Sequence, residues 1–417
     1  WYNRSFAMTS PEFDFPYLHI ILFFKNYMRI LYLTEIFLPR ISGYTVHVNN
    51  LASYFSRSND VLVVTSSDKI LPMEEKINSY KVKRLFSLTN PFNVDTKLSY
   101  LAVLKINKII QEFQPDVIHI HDPAFISFFG AKYAKQNSIP VVYTQHASTS
   151  FPINFLPDMF RDLIGGFYEK FLSKFINENC DIVISPSNYI SNNLKQIGVT
   201  SNKEIISNGI DLKTFFVRNV DNDFIRKYNL WENNFPTLLC VSRLSKEKNI
   251  DILFTVIKKI AEQKSINIII IGDGEKGEFF HENFINNKQI KIFKEIKPNS
   301  DDLNSFYNYS DVFLIVSKNE AQSLVTMEAM ACGLPVIANQ SGALPELILN
   351  DRNGLLVKDD VNEYVSAINE LIFDQNKIKK YKEKSLEIIS AHDINESYKK
   401  IYNVYKQSVE NQNKKKP

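Results

Sequence analysis

The chain has 417 residues, which favours two domains over a single core, and its composition of 44% hydrophobic and 23% charged residues is typical of a globular protein. The formal net charge of +3 excludes a general electrostatic attraction to nucleic acid, so we expect no nucleic-acid partner. The three cysteines, Cys180, Cys240 and Cys332, are far apart and lack metal-ligand spacing, which predicts buried thiols in a reduced, cytoplasmic protein.

The first 27 residues precede the first clear strand pattern. The sequence starts at Trp1 rather than Met, and the apolar run 17–24 is too short to span a bilayer. That run also lacks a small-residue cleavage site, so we do not expect a signal peptide. We treat residues 1–27 as an extension whose place in the native protein is open.

From Met28 onward, apolar runs rich in β-branched residues alternate with helical stretches. Such continuous runs are typical of parallel strands that helices cover on both faces. A polar segment at 218–235 separates two series of runs, which predicts an α/β fold of two doubly wound domains, 28–212 and 213–392. An amphipathic helix and tail at 393–417 can pack on either domain, including back onto the first. The runs are 29–34, 61–67, 116–121, 140–146 and 181–187, then 237–243, 266–274, 290–296, 311–317 and 335–340.

Two turns of the second predicted domain are candidates for ligand binding, because open α/β sheets bind ligands beyond the carboxyl ends of their strands. Arg243 and Lys248 in 242-SRLSKEKNID-251 either reach a diphosphate in the interdomain cleft or are surface cations, and this segment alone does not decide. The turn 272-GDG-274 fits Gly-x-Gly-x-x-Gly formally. A tight turn is favoured there, because the match follows the second strand of the domain, whereas a dinucleotide fingerprint follows the opening strand.

The segment 319-NEAQSLVTMEAMACGLPV-336 places Glu320 and Glu328 eight positions apart in apolar surroundings. One interpretation is that both carboxylates lie on a solvated helix face. The favoured one is a buried helix that begins near Leu324 and whose free N–H groups bind a phosphate. The two carboxylates then accept hydrogen bonds from hydroxyl groups at either end of the ligand, a layout that fits a nucleotide sugar.

This segment resembles the Glu-x7-Glu signature of the retaining GT-B glycosyltransferases, also called glycosyl transferases group 1. Other motifs of that family occur in the expected order, so the resemblance covers residues 28 to about 410. It implies a GT-B fold, with two Rossmann-like domains that face a cleft. The other motifs are 39-PRISGYTVHVNNLASYF-55, 115-PDVIHIHDP-123, 143-YTQHA-147, 185-SPSNYI-190, 208-NGID-211, 241-VSRLSKEKNID-251, 271-IGDG-274 and 342-GALPELI-348.

By position, the resemblance implies roles for individual residues. Arg243 and Lys248 would bind the diphosphate, Glu320 the hexose and Glu328 the ribose. His146 would lie near the anomeric carbon, between donor and acceptor. The other predicted donor-binding residues lie in the first loop, the glycine turn and the helix start: Gly43, Gly272, Gln322, Ser323 and Leu324.

Two departures from the family pattern qualify these roles. Ser42 precedes Gly43 where the family usually has a second glycine, and Gln322-Ser323 replaces Phe-Gly after the first glutamate. Gln322 and the Ser-Gly loop resemble the branch that glucosylates diacylglycerol. That branch implies UDP-glucose as the donor, glycolipid biosynthesis, and a peripheral position on the inner face of the cell membrane.

The segment 151–176 is the candidate for membrane contact. Phe167, Phe171 and Phe175 recur every fourth residue and form a broad apolar helix face. This face lies either on lipid or on the protein core, and the core is slightly favoured. The charges of the segment cancel, so no attraction to anionic lipid is predicted.

The sequence therefore predicts a hexosyltransferase that uses a nucleotide diphosphate sugar and a lipid or glycan acceptor. The alternatives are the same chemistry on a soluble glycan and a non-catalytic subunit that binds nucleotide sugars. We expect no cofactor and no metal, because Arg243 and Lys248 can stabilise the leaving diphosphate. The acidic pairs that a metal would otherwise use, 221–223 and 301–302, lie in polar loops.

Overall fold

The described residues form two large β-sheets with helices on both faces and a small two-stranded sheet. The structure, a computed structural model, describes residues 27–40, 42–90, 93–149, 158–263 and 265–414. The extension 1–27, apart from its last residue, and residues 151–157 of the apolar segment lie outside the described residues. The strands are β1 (Arg29–Leu33), β2 (Asp60–Ser66), β3 (Met73–Ile77), β4 (Tyr80–Leu85), β5 (Leu88–Asn90), β6 (Asn93–Leu98), β7 (Val117–Ile120), β8 (Val141–Thr144), β9 (Ile182–Ser185), β10 (Asn202–Ile205), β11 (Thr237–Val241), β12 (Asn267–Ile271), β13 (Ile290–Phe293), β14 (Val312–Ile315), β15 (Val336–Asn339) and β16 (Gly354–Val357).

Helices connect most of these strands, as crossovers between parallel neighbours require. A short 3₁₀ helix, Lys246–Lys248, follows β11. The α-helices are α1 (Gly43–Phe55), α2 (Val103–Phe113), α3 (Phe125–Gln136), α4 (Asp158–Asn179), α5 (Asn188–Gln196), α6 (Asn222–Lys227), α7 (Ile250–Gln263), α8 (Gly277–Phe284), α9 (Asp301–Tyr309), α10 (Leu324–Ala331), α11 (Leu344–Leu347), α12 (Val361–Leu371), α13 (Gln375–Ser390) and α14 (Ile394–Lys414).

The strand order creates one switch point in each sheet. The first sheet runs β10-β9-β8-β7-β1-β2-β4-β3, and only β3 is antiparallel to its neighbour. The second runs β13-β12-β11-β14-β15-β16 and is parallel throughout. The crossovers therefore diverge between β7 and β1 and between β11 and β14. Loops that follow these strands lie beside each other and leave a crevice, where doubly wound sheets bind their ligands.

All ten predicted strands are present, with ends within a few residues of the prediction. Each is a nearly continuous apolar run; in β12, for example, every residue is buried. The sequence analysis missed β3 to β6, β10 and β16. Of these, β3 reads MEEKI and β10 reads NKEI, so their charged residues conceal the strands from an apolar-run criterion.

Helix α14 packs on the first sheet, although the chain enters it from the second domain. Tyr398, Ile401, Val404 and Tyr405 are buried in a cluster with residues of β1, β2 and α1. The apolar stripe predicted from the sequence thus forms part of the core of the first domain.

Helix α4 combines both interpretations of the apolar segment. One face of the helix packs in the core, with Leu172 and Phe175 buried. Another face is exposed: Phe167 is 67% exposed, and Ile164 and Phe171 are exposed as well. Within the described part of the chain, no helix has the length and apolarity needed to cross a membrane.

We expect Ile401→Ala in α14 to destabilise the protein by about 2–5 kcal/mol, because it removes buried methyl groups and leaves a cavity. Ile401 is 1% exposed. Denaturant unfolding monitored by fluorescence measures the change. Asn403→Ala, at an exposed position of the same helix, is the matched control and should change stability by less than about 0.5 kcal/mol. Equal effects of the two variants would contradict the packing described here.

Candidate functional site

A partly buried ion pair lies at the switch point of the second sheet. Lys248 ends the 3₁₀ helix after β11, and Glu320 lies in the loop after β14. The Lys248 ammonium donates to the Glu320 carboxylate at 2.7 Å. Arg243, in the same loop as Lys248, pairs with Glu247 at 2.7 Å and is partly exposed. Three of the predicted site residues thus lie in loops at the carboxyl edge of the sheet, and two of them, Lys248 and Glu320, are in contact.

The N-terminus of α10 opens beside this ion pair. Ser323 is its N-cap, and the Ser323 hydroxyl accepts from Thr326 N–H and from the Thr326 hydroxyl. The first N–H groups of a helix, here those of Leu324 and Val325, have no acceptor within the helix. They can bind an anion such as a phosphate.

The first domain approaches the same place through α1. A Cβ added to Gly43, the first residue of α1, would lie 3.6 Å from Cδ1 of Leu324. Ser42 caps α1 and forms a capping box with Thr45. Two helix N-termini from different domains therefore face each other across the cleft, and both favour negative charge between them.

Glu328 is buried inside α10, and so is Glu320 at the turn before it; each is 8% exposed. The Tyr307 hydroxyl donates to Glu328 at 2.7 Å. Burial raises the pKa of Glu328 to about 7, and the hydrogen bond from Tyr307 offsets part of this shift. The interpretation of the two glutamates as solvated is therefore wrong.

Gly272 and Gln322 have structural contacts. A Cβ on Gly272, whose φ is +143°, would lie 1.9 Å from the carbonyl oxygen of Ser242, so the turn needs a glycine. The Gln322 side chain accepts from Asn208 N–H at 2.7 Å and donates to the Ser207 hydroxyl at 3.0 Å. Donor contact by either residue remains a prediction.

His146 belongs to a cluster of imidazoles at the carboxyl edge of the first sheet. Its Nε2 lies 3.0 Å from Nδ1 of His121, and its ring packs against Tyr44 with centroids 4.8 Å apart. His47 lies 5.2 Å away, centroid to centroid. Burial, and secondarily the neighbouring imidazoles, hold the pKa of His146 well below its usual value. This side chain is therefore neutral at physiological pH and forms hydrogen bonds without carrying charge.

The two domains are joined by hydrogen bonds near the cleft. The Ser187 hydroxyl donates to the carbonyl of Ala321 at 2.6 Å. The Glu346 carboxylate accepts from the backbone N–H groups of Asn188 and Tyr189 at 2.9 and 2.6 Å, at the start of α5. These contacts fix the Glu320 loop relative to the first domain.

The acidic residues of 221–223 and 301–302 lie at the starts of α6 and α9 rather than in polar loops as expected, and each has a partner within the protein. Asp221 caps α6, and Asp223 pairs with Arg226. Asp301 pairs with Arg218, and Asp302 with Lys227. In the described ranges, no group of three potential ligands is arranged to hold a metal ion.

The sequence analysis overlooked a second pair of carboxylates, Glu35 and Asp122, which follow β1 and β7 at the other switch point. Asp122 accepts from the Tyr44 hydroxyl at 2.6 Å and from Glu35 N–H at 2.5 Å. The signal was available, because each residue directly follows a predicted strand run. The sequence did not show the strand order that makes the two residues neighbours.

Comparisons with known proteins agree with this architecture. Residues 221–387 match the family described as Glycosyl transferases group 1, and residues 41–214 match Glycosyltransferase Family 4. A sulfoquinovosyl transferase of Arabidopsis thaliana is 27% identical over 341 residues, which cover 80% of this chain and 64% of that protein, just under two thirds of its length. An alpha-monoglucosyldiacylglycerol synthase of Streptococcus pneumoniae is 26% identical over 352 residues, or 79% of this chain and 75% of that protein.

A solved structure has a similar fold. Sucrose-phosphate synthase from Thermosynechococcus elongatus superimposes with a TM-score of 0.73 at 20% identity, over 91% of this chain and 98% of that one. This similarity confirms the predicted architecture of two Rossmann-like domains.

We expect Glu328→Gln to change how stability depends on pH. The folded-state pKa of Glu328, about 7, lies above the ordinary 4.5, so wild type loses stability as pH rises from 4.5 to 7. The amide cannot ionise and avoids this loss. The free energy of unfolding of the variant minus that of wild type should therefore be higher at pH 8 than at pH 5, by about 2–3 kcal/mol. Urea unfolding at the two pH values measures this, and a difference of the opposite sign would contradict the burial of a charged Glu328.

Proposed function

This chain belongs to the GT-B glycosyltransferases, with a family 4 domain followed by a group 1 domain. We propose that its donor is a UDP-linked sugar, from which it transfers a hexose to a lipid hydroxyl such as that of diacylglycerol, with retention at the anomeric carbon. The observation that carries the proposal is the Lys248–Glu320 pair beside the N-terminus of α10. That place combines positive charge and free N–H groups with a buried carboxylate.

The donor then lies along the start of α10. Its diphosphate is bound by Arg243, Lys248 and the first N–H groups of the helix, which also stabilise the charge that develops as it leaves. Glu320 faces the hexose, where positive charge develops on the ring. Glu328, about one turn into α10, accepts hydrogen bonds from the ribose hydroxyls.

Retention follows if the acceptor attacks on the face that the diphosphate leaves. The departing phosphate oxygen then takes the acceptor proton, so no side chain has to act as a covalent nucleophile. The neutral imidazole of His146 offers a hydrogen bond between donor and acceptor without adding a charge. This part of the proposal rests on the family resemblance together with the place of His146 at the cleft edge of the first sheet.

Two observations support a lipid acceptor. A relative of known activity, that of S. pneumoniae, is named for the synthesis of monoglucosyldiacylglycerol. In this chain, exposed apolar side chains lie at the start of α2 and along α4, two helices that each begin at the carboxyl edge of the first sheet. Ring contacts between Tyr100 and Phe125 and between Phe128 and Phe171 link these places, with centroids 4.9 and 5.8 Å apart. The exposed residues are Leu101, Val103, Leu104, Ile164, Phe167 and Phe171.

This apolar rim is the surface through which the protein would lie peripherally on the inner face of the cell membrane. A large exposed apolar patch on a folded domain commonly marks an interaction surface. His146 lies in the loop between β8 and α4, so contact of this rim with a membrane would bring a bilayer-embedded acceptor toward the cleft.

The experiment that tests the proposal is an assay of nucleotide release with a panel of nucleotide sugars, in the presence of phosphatidylcholine vesicles with or without dioleoylglycerol. Release that depends on dioleoylglycerol, with a glucosylated lipid as product, is expected. Transfer only to soluble glycans would show that the acceptor is a glycan and not a lipid. Donor binding without turnover on any acceptor would identify a non-catalytic subunit.

Substitution of the two buried glutamates should separate chemistry from binding. Glu320→Gln removes charge beside the reacting hexose and should lower mainly kcat, whereas Glu328→Gln weakens contacts to an unreacting ribose and should raise mainly the donor KM. Loss of a charged hydrogen-bond acceptor predicts about tenfold to a hundredfold in each case. Glu295→Gln, at an exposed position, is the control. The reverse pattern would mean that the donor lies in the opposite direction.

A charge within the apolar rim should weaken membrane contact. Phe167→Glu should reduce vesicle binding at least about tenfold, because the transfer of an aromatic side chain out of water is lost. Vesicle cosedimentation measures binding, and donor hydrolysis in solution should stay at the wild-type rate. Phe235→Glu, at an exposed aromatic of the second domain, is the matched control. Unchanged vesicle binding by Phe167→Glu would contradict this surface.

A further inference from the structure

Glu35 is a buried carboxylate for which the donor chemistry has no use. It follows β1 at the switch point of the first sheet and is 2% exposed. In the described part of the chain, its carboxylate accepts from a hydroxyl and from backbone N–H groups, and not from a lysine or arginine. A buried charge without a cation is costly unless hydrogen bonds satisfy it. The presence of a carboxylate at this position therefore needs a physical reason.

The Glu35 carboxylate joins segments that are distant in sequence. Oε1 accepts from the Ser66 hydroxyl at 2.5 Å, at the end of β2, and from the backbone N–H of Ser99. Oε2 accepts from the N–H of Ile126 at 3.1 Å, in the first turn of α3. Three donors from three segments converge on one side chain. Burial and the adjacent Asp122 raise the pKa of Glu35 to about 7, against the effect of these hydrogen bonds.

Ser99 lies in the middle of a segment that we name the acceptor strap, residues 96–104. The strap connects β6 to α2 and carries the exposed Leu101, Val103 and Leu104. The hydroxyls of Ser66 and Ser99 lie 2.9 Å apart, which adds a second link at the same point. The strap is therefore attached to the sheet at Glu35 and presents apolar side chains outward.

A second set of contacts connects Glu35 to His146. The Glu35 N–H donates to Asp122 at 2.5 Å, and the Tyr44 hydroxyl donates to the same carboxylate oxygen at 2.6 Å. The Tyr44 ring packs on the imidazole of His146. Contacts thus run without a break from the strap through Glu35, Asp122 and Tyr44 to the predicted reaction centre.

We propose that Glu35 is a positioning residue for the acceptor site, which holds the acceptor strap at a fixed distance from His146 so that an apolar acceptor presents its hydroxyl to the donor. This inference rests on the proposed function. It assigns the strap as the wall of the acceptor site that contacts the apolar part of the acceptor. A carboxylate suits this place because both of its oxygens accept, whereas an amide offers only one acceptor to the three donors.

The test is Glu35→Gln, assayed for donor hydrolysis in solution and for transfer to dioleoylglycerol in phosphatidylcholine vesicles. We expect the KM for dioleoylglycerol to rise about tenfold while the donor KM and the rate of donor hydrolysis stay within about twofold of wild type. Ser66→Ala removes one donor and keeps the carboxylate, so it should shift the same constant in the same direction by a smaller factor. It also supplies the answer if Glu35→Gln fails to fold.

The matched control is Asp116→Asn. The Asp116 carboxylate accepts from the N–H of Arg29 at 2.7 Å, at the opposite end of β1. This variant perturbs the same strand but lies far from the strap, so its acceptor KM should equal that of wild type. Hydrogen exchange supplies a readout that does not depend on activity. Glu35→Gln should accelerate exchange at residues 96–104 and 125–128, and Asp116→Asn should not.

The outcomes separate this inference from the proposed function. A parallel fall of hydrolysis and transfer in a folded Glu35→Gln variant would overturn the positioning role, and so would an unchanged acceptor KM. If wild type hydrolyses donor but leaves dioleoylglycerol unmodified, the lipid acceptor is wrong. In that case, unchanged hydrogen exchange in the strap of Glu35→Gln would overturn the inference about Glu35 as well. Accelerated exchange there would still support the conclusion that Glu35 holds the strap in place.

Discussion

The order of strands in the two parallel sheets is the constraint on which the rest of the site depends. Because β11 lies beside β14, the loop that carries Lys248 meets the loop that carries Glu320, although 72 positions separate the two residues. Because β1 lies beside β7, Glu35 meets Asp122 in the same way. Both meetings occur at carboxyl edges, where crossovers diverge and leave space for a ligand. The chemistry of the cleft therefore follows from topology before any particular side chain is considered.

Three buried carboxylates illustrate how the surroundings set the behaviour of one functional group. Glu320 has a cation, Lys248, within 2.7 Å. Glu328 has only a phenol, Tyr307, and its pKa rises because a neutral donor compensates little of the lost hydration. Glu35 has backbone N–H groups and a hydroxyl, and a like charge nearby. A nucleotide sugar would add hydroxyl donors near Glu320 and Glu328, so its binding would relieve part of the cost of burying these carboxylates.

The fold and part of the site could be predicted from the sequence, for physical reasons. Long apolar runs such as β12 report burial on both faces, which only a covered parallel strand experiences, so these strands and the Glu320 turn were predicted. The MEEKI strand lies at the sheet edge and alternates between partly buried and exposed, so no apolar run marks it. The contacts of Gln322 with Ser207 and Asn208 were not predictable, because no local pattern reports how two domains dock. The same holds for Glu35, whose partners come from three distant segments.

The domain connection shows how docking and the site are related. The chain crosses between domains near 209–211 and returns near 392–394, and the two crossings are hydrogen-bonded to each other: Ile210 N–H donates to the carbonyl of His392 at 2.8 Å, and Ile394 N–H to that of Ile210 at 3.0 Å. Gly209, at φ +76°, has no room for a Cβ beside Ile394. Helix α14 then continues into the first domain, where the Tyr405 hydroxyl lies 2.6 Å from His119 Nδ1.

His119 in turn packs against His121, the neighbour of His146, with ring centroids 4.1 Å apart. The returning helix thus contacts, through His119, the imidazole cluster that contains His146. Any change in the angle between the domains must bend the chain at these paired crossings, because α14 is fixed by its buried aromatic residues. Such a change would also have to break the hydrogen bonds of Ser187 and Glu346 across the domains, which hold the Glu320 loop beside the first sheet.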